Sequence, residues 1–366
     1  MYLLKFIVKR LLASVGIILG LTAVLFFLAA ISHTDPVHAM LGAGATPGSI
    51  AAERHKLGLD KPEIVQYFDY LKNLLHGNMG MSYRTRRPVA SDIATYLPAT
   101  VELAGFSLVL SVLLGLALGI ASGGSFRGSG ALRFVLISGA SVPQFLLAIG
   151  GLLFLYGKLN LLPATGIIGI ANAPTGPTGI YLIDGILHGD FGVTVDAIKY
   201  LIMPSVSISL GPAVSIGRVL RGSLISSLGS DYVKTARSKG LGGFSILIRH
   251  ALRNSLGPAL SMTGLQAGLM FSGVVVIEDI FAWPGIGYYT AQSIPSGDFP
   301  AIAGVTLVLG VGYVIINALV DLAQLLADPR LKRLEMGPST RGRKKVVSQQ
   351  NSSLNSQVNA IGDPTV

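Results

Sequence analysis

Residues 99–121 read ATVELAGFSLVLSVLLGLALGIA, with Glu102 as the only ionisable side chain. A helix crosses the hydrocarbon of a bilayer in about 20 residues, and it must satisfy its backbone polar groups internally. A run of this length and composition therefore reads as a transmembrane span. Five further runs match it: residues 11–31, 134–156, 201–220, 258–281 and 301–327. The first could also be a signal peptide, since Lys5, Lys9 and Arg10 precede it. Its apolar run exceeds the roughly 7–15 residues of a signal core, and Ala29-Ala30-Ile31-Ser32-His33 makes a poor cleavage site, so a retained helix is expected. The fourth run is the weakest, carrying Ser205, Ser207, Ser209, Ser215 and two prolines. The fold class expected is an all-α polytopic membrane protein with six transmembrane helices.

Composition agrees. Of the 366 residues, 51% are apolar and only 13% charged, about half the usual charged share, and the mean hydropathy is +0.62. A water-soluble globule needs more polar surface than that. The 46 glycines suit helices that pack closely within a membrane. The absence of cysteine excludes disulfides, thiolate metal sites and thiol nucleophiles. The net charge of +10 would suggest nucleic acid in a soluble protein. Here it reflects basic loops beside anionic lipid, and no nucleic-acid partner is expected.

The basic residues also orient the bundle. Lys5, Lys9 and Arg10 lie at the N-terminus, and Arg127 and Arg133 follow the second run. Arg221, Lys234, Arg237, Lys239, Arg249 and Arg253 follow the fourth, and Arg330, Lys332, Arg333, Arg341, Arg343, Lys344 and Lys345 the sixth. In a six-span chain all four regions fall on one face, which places both termini in the cytoplasm. The loop after the third run is acidic (Asp184, Asp190, Asp196), and long loops such as 32–98 translocate largely regardless of charge. The chain thus divides into residues 1–31 (cytoplasmic N-terminus and first helix), 32–98 (extracytoplasmic loop), 99–336 (five-helix core with a cytoplasmic loop at 221–257) and 337–366 (a disordered cytoplasmic tail). Within the outer loop, Ile64, Tyr67, Phe68, Leu71, Leu74 and Leu75 recur at helical period, between a start at Asp60-Lys61-Pro62 and a stop at Gly77. Residues 162–192, rich in proline and glycine, read as an outer loop.

Reactive constellations are missing from the sequence. There is no G-x-x-x-x-G-K-[ST] phosphate loop, and the six histidines show no metal-ligand spacing. Glu102, Glu278, Asp279 and Asp321 lie towards span ends, where coupled secondary transporters usually place charge at the midplane. No catalytic, cofactor or metal site is expected.

The distinctive stretch is residues 229–258, GSDYVKTARSKGLGGFSILIRHALRNSLGP. Ser230 or Asp231 can cap a short helix running to Lys239, and Gly240, Gly242 and Gly243 end it. A second amphipathic helix from Phe244 leads to Pro258. Such a hairpin is either a membrane-surface element, its basic side on anionic lipid, or a docking element for a cytoplasmic partner.

Residues 231–241 (DYVKTARSKGL), followed by Arg249-His250-Ala251-Leu252-Arg253-Asn254 and Pro258, resemble the coupling loop of permease subunits in binding-protein-dependent ABC importers of the dipeptide/oligopeptide/nickel family. The generic loop of such importers has a proline sooner after the glycine; this sequence departs from it as the peptide subclass does. The resemblance extends over residues 57–62 (LGLDKP), 98–104 with Glu102, 162–166 (LPATG), 281–287 (FAWPGIG) and 328–330 (DPR), and stops near Gly337. It implies a second permease subunit, two cytoplasmic ATPases that bind ATP and magnesium, an extracytoplasmic solute-binding protein, and no cofactor on this chain. It further implies that Asp231, Tyr232, Val233, Thr235, Ala236, Arg237, Lys239, Gly240 and Leu241 form the ATPase-coupling loop. Gly240 would permit the turn, and Tyr232, Val233 and Ala236 would fill a groove on the ATPase. Arg237 and Lys239 would either pair with acids at the rim or stay solvated. Ser205, Ser209 and Pro212 in the fourth span, with Glu278 and Trp283, are candidates for the pathway. The implied substrate is a peptide, with nickel or another small solute as the alternative, and a stand-alone secondary transporter as the reading from another class. Gly115/Gly119 and Gly264/Gly268 predict close helix packing.

Overall fold

Proline inside a helix removes a backbone donor and usually marks an end, yet one helix here runs from Val89 through Pro98 to Gly123. This was established from a computed structural model that describes residues 2–31, 44–56, 58–123, 130–132, 142–170 and 176–327, with positions 37, 41 and 134. Its helices are α1 (Tyr2–Ile31), α2 (Pro47–Lys56), α3 (Glu63–Leu75), α4 (Val89–Gly123), α5 (Gln144–Gly151, continued by a π turn, Leu152–Tyr156), α6 (Tyr181–Leu187), α7 (Phe191–Leu228), α8 (Asp231–Ser238), α9 (Arg253–Ile280), α10 (Ile286–Ser293) and α11 (Phe299–Ala327). A short turn, Gly243–Ser245, and a π-helical segment, Ile246–Leu252, lead into α9. No strand forms among the described residues.

Every expected span overlaps a helix. Among the described residues three helices, α4, α7 and the Phe299–Val320 part of α11, are long and apolar enough to cross a membrane. The pair Gly243–Phe271 and Gly273–Ile280, bent by 50°, makes a fourth if it is one span. The first and third expected spans correspond to shorter apolar stretches, Leu12–Leu28 and Gln144–Tyr156; residues 135–141 of the third lie outside the described residues. So do the tail 337–366, Arg127, Arg133 and the Asp328-Pro329-Arg330 motif. Residues 321–366 form a separate unit, described only to Ala327.

The helices outrun the apolar runs. At 1.5 Å per residue, α4 spans about 52 Å and α7 about 57 Å, against a hydrocarbon thickness of about 30 Å. The reason is capping: the Asp190 side chain accepts from Val193 N at 3.2 Å and starts α7 ten residues before the expected span at Leu201. The loop at 162–192 also contains α6, and the outer loop contains α2, neither of which the hydropathy pattern shows. Helix α3 occupies the residues read from its periodicity and begins after Pro62. It rests on α1 through Tyr67, whose hydroxyl lies 3.1 Å from Thr22 Oγ1, and through Phe26, whose ring lies tilted 5.4 Å from Tyr67 and 6.0 Å from Tyr70.

α4 and α7 form the centre. A Cβ on Gly115 would lie 2.9 Å from Ile216 Cβ, and one on Gly119 would lie 2.8 Å from Leu220 Cδ2, so these glycines set the approach of the two helices. Gly264 and Gly268 do the same against Val320 and Tyr313 of α11. Large apolar side chains remain exposed on α1 (Ile17, Leu28), α4 (Val109, Leu113), α9 (Leu265, Leu269) and α11 (Ile315, Leu319). A monomer in water rarely shows such a surface; a chain bathed in lipid does.

Candidate functional site

The hairpin at residues 229–252 is built from its ends inward. α7 stops at Leu228, and Ser230 takes the extended N-cap conformation of α8, ψ 157°. Neither expected side-chain cap forms: Ser230 Oγ bonds back to Ser227 O, and Asp231 pairs with Lys234 at 2.9 Å on an exposed surface. Asp231 still favours the helix start through the dipole. At the other end, Gly240 N donates to Arg237 O (2.9 Å) and Leu241 N to Ala236 O (3.3 Å), with Gly240 at φ +77°. This is a Schellman stop with glycine in its left-handed position, as the spacing predicts.

Burial corrects the expected docking face. Val233 and Ala236 are buried in this chain's own cluster with Ile246 and Leu228, so they are not free to fill a groove elsewhere. An amphipathic helix shows from sequence that it has an apolar face, but not whose side chains cover it. The exposed apolar residues are Tyr232, Leu241 and Phe244, the last 79% exposed. Lys234, Thr235, Arg237, Lys239 and Arg249 are exposed around them. Burial raises the Tyr232 phenol, but hydrogen bonds from Ser227, Asn254 and Ser230 outweigh it and hold it below its usual range. Ser255 Oγ lies 3.1 Å from Ser227 Oγ, tying the start of α9 to the end of α7. Behind the hairpin, Ala251 and Ala259 pack on Ile216, Leu220 and Leu224. The hairpin is thus keyed into α7 and α9.

At the opposite end of α9, the motifs at 98–104, 162–166 and 281–287 converge. Glu278 is fully buried and accepts from Thr100 Oγ1 (2.6 Å), Gly287 N (2.7 Å) and Tyr288 N (3.0 Å). Thr100 Oγ1 in turn accepts from Ile286 N at 2.8 Å. Trp283 is fully buried, its Nε1 donating to Ala99 O at 2.9 Å, and Gly166 N donates to Phe281 O at 3.0 Å. Glu278 and Trp283 therefore fasten α10 to α4. Tyr289, on α10, donates to Asp92 Oδ2 at 3.1 Å. Its phenol is pushed up to about 12, chiefly by burial, so it stays a donor throughout the physiological range.

Between α5, α7 and α9 lies a cavity of about 250 Å³ whose lining includes Gln144, Ser207, Pro212, Ser215, Gln266 and Met270. Of the pathway candidates, Pro212 lines it; Ser205, Ser209, Glu278 and Trp283 do not. The serines of α7 divide by face. Ser207, Gly211 and Ser215, at i, i+4 and i+8, face the cavity, whereas Ser205 and Ser209 are fully buried. Ser209 O accepts from Ser111 of α4. The i, i+4, i+8 spacing was the available signal for Ser207 and Ser215. For Gln144 and Gln266 it was a lone polar residue within an apolar run.

Residues 111–333 match the family of binding-protein-dependent transport system inner membrane components, and residues 3–104 match the N-terminal model of binding-protein-dependent transport system membrane components. The chain is similar to the probable D,D-dipeptide transport system permease protein DdpB of Escherichia coli (strain K12), 36% identical over 87% of this chain and 94% of the relative. It is also similar to the dipeptide transport system permease protein DppB of Alkalihalophilus pseudofirmus, 36% identical over 90% of this chain and 100% of the relative. The protein of that name in Escherichia coli (strain K12) is 32% identical over 90% and 99%.

Proposed function

Because this chain belongs to the family of binding-protein-dependent transport system inner membrane components, we propose that it is the permease subunit of an ABC importer for peptides. The family is one of transport permeases and not of enzymes, and the chain is a multi-pass component of the cell membrane. The relatives' names give the substrate class, a dipeptide.

The hairpin around Gly240 is the observation that carries the mechanism. It offers aromatic and aliphatic anchors (Tyr232, Leu241, Phe244) within a cationic rim, the arrangement that concentrates binding energy at protein interfaces. Two cytoplasmic ATPases, which bind the ATP and magnesium, dock on this chain and on a second permease that completes the pathway. A solute-binding protein delivers peptide from outside, and lipid surrounds the bundle. Six spans with both termini in the cytoplasm place the hairpin on the ATPase side. ATP-driven closure displaces α8 as a rigid body. The cluster of Val233, Ala236 and Ile246, with the packing of Ala251 and Ala259 on α7, transmits that displacement into α7 and α9.

Reconstitution of the assembled importer in vesicles tests this. ATP-dependent accumulation of alanyl-alanine that requires the binding protein is expected. Accumulation without ATP, or none of any peptide with all subunits present, would refute it.

A further inference from the structure

We propose that the cavity between α5, α7 and α9 is a relay site that holds the backbone of a passing peptide through uncharged hydrogen bonds, blind to the charge of its side chains. The inference rests on the peptide-permease reading and adds to it where the peptide is held and by which chemistry.

The cavity opens midway along α7 and α9, within the expected fourth and fifth spans. None of its described lining residues is ionisable. Gln144 and Gln266 both line it, and neither side chain hydrogen-bonds another described residue. At membrane depth an unpaired amide is costly unless it faces water or a polar ligand. Acceptors sit beside these donors. Ser207 Oγ uses its proton on Met203 O at 2.9 Å, which leaves its lone pairs for the cavity. Pro212 has no N–H, so the carbonyl of Ile208 loses its helical donor at the cavity wall. The Gln144 carboxamide packs over Gly273 of α9, where a Cβ would lie 2.0 Å from its Nε2 and displace it.

Donors and acceptors side by side, without charge, match a peptide unit, which offers one N–H and one C=O. A metal ion would call for carboxylates or imidazoles, and an acyl chain would leave the amides unpaired. At about 250 Å³ the space lies below the usual 300–1,000 Å³ of a ligand pocket, so it takes a short length of backbone and not a whole oligopeptide.

The chain contains no cysteine, which makes Ser215→Cys a unique reporter in the assembled importer. An impermeant methanethiosulfonate should label it on this chain, and saturating alanyl-alanine with the binding protein should slow labelling by about tenfold. Gln266→Glu supplies the second arm. Relative to wild type with the same binding protein, it should shift uptake of alanyl-lysine over alanyl-glutamate by about tenfold. Gln144→Leu with Gln266→Leu should assemble at normal yield and lose most peptide uptake. A Ser215→Cys variant that stays unlabelled or gains no protection from peptide, or unchanged selectivity and uptake in the glutamine variants while wild type imports peptide, would overturn the relay. A wild-type importer that moves no peptide would instead sink the substrate reading beneath it.

Discussion

Gly240 and Gly285 need glycine for opposite reasons, and substitutions separate them. Around Gly240 a Cβ would meet nothing within 4 Å, but φ is +77°, so the cost is conformational. Gly240→Val should cost a few kcal/mol, while Gly240→Asn, which tolerates the left-handed region, should keep most ATPase association and uptake. Equal loss in both variants would show that something other than the dihedral matters there. At Gly285 φ is an ordinary −103°, but a Cβ would lie 2.2 Å from Glu278 Oε1. The carboxylate itself is testable through Glu278→Gln. In its favoured orientation the amide keeps Oε1 on the N–H groups of Gly287 and Tyr288 and turns Nε2 toward Thr100, whose hydroxyl proton loses its buried acceptor. A loss of roughly 1–3 kcal/mol per unsatisfied group is expected in thermal unfolding of the purified permease. Unchanged unfolding would mean that α10 is fastened otherwise. The constraint at Gly240 was legible in the sequence, because helix-stopping glycine is a local signal. That at Gly285 was not, because it depends on how a buried side chain at the end of α9 folds back over the turn, and Glu278 read instead as a pathway charge.

At the scale of elements, α8 shows what periodicity tells and what it withholds. Its apolar residues stood out in the sequence at Tyr232, Val233 and Ala236, and its helix ends within a residue of the expected position. Which of them turn inward depends on Ile246 and Leu228, contributed by neighbouring helices. Two substitutions to serine distinguish the faces. Phe244→Ser removes an exposed anchor and should leave the permease folded but detach the ATPases on co-purification. Val233→Ser removes a buried one and should lower the unfolding temperature by the equivalent of about 2 kcal/mol. If Phe244→Ser kept full ATPase association and uptake, the hairpin would be a lipid-surface element. The α7 serines teach the same lesson: four of them marked the span as a candidate pathway wall, but only α4, packed through Gly115 and Gly119, determines which serines are sealed away.

At the scale of the whole chain, hydropathy located the apolar centres of the helices and missed their ends. The start of α7, ten residues before the apolar run, is set by Asp190, which lies in a polar stretch. Orientation is a separate question, resting on the distribution of lysine and arginine, and it has a direct test in a cysteine-free chain. Gly229 sits at the turn between α7 and α8, on the face that carries Arg221, Lys234, Arg237 and Lys239. Leu75 ends α3, is 87% exposed, and belongs to the loop assigned to the other side. In intact cells an impermeant thiol reagent should label Leu75→Cys and spare Gly229→Cys; after permeabilisation it should label both. Six spans require this pattern, because an even number of crossings keeps both termini, and every second loop, on one face. Labelling of Gly229→Cys in intact cells would place the hairpin outside. The ATPases could not then reach Tyr232, Leu241 and Phe244, and the coupling mechanism would fail with the topology.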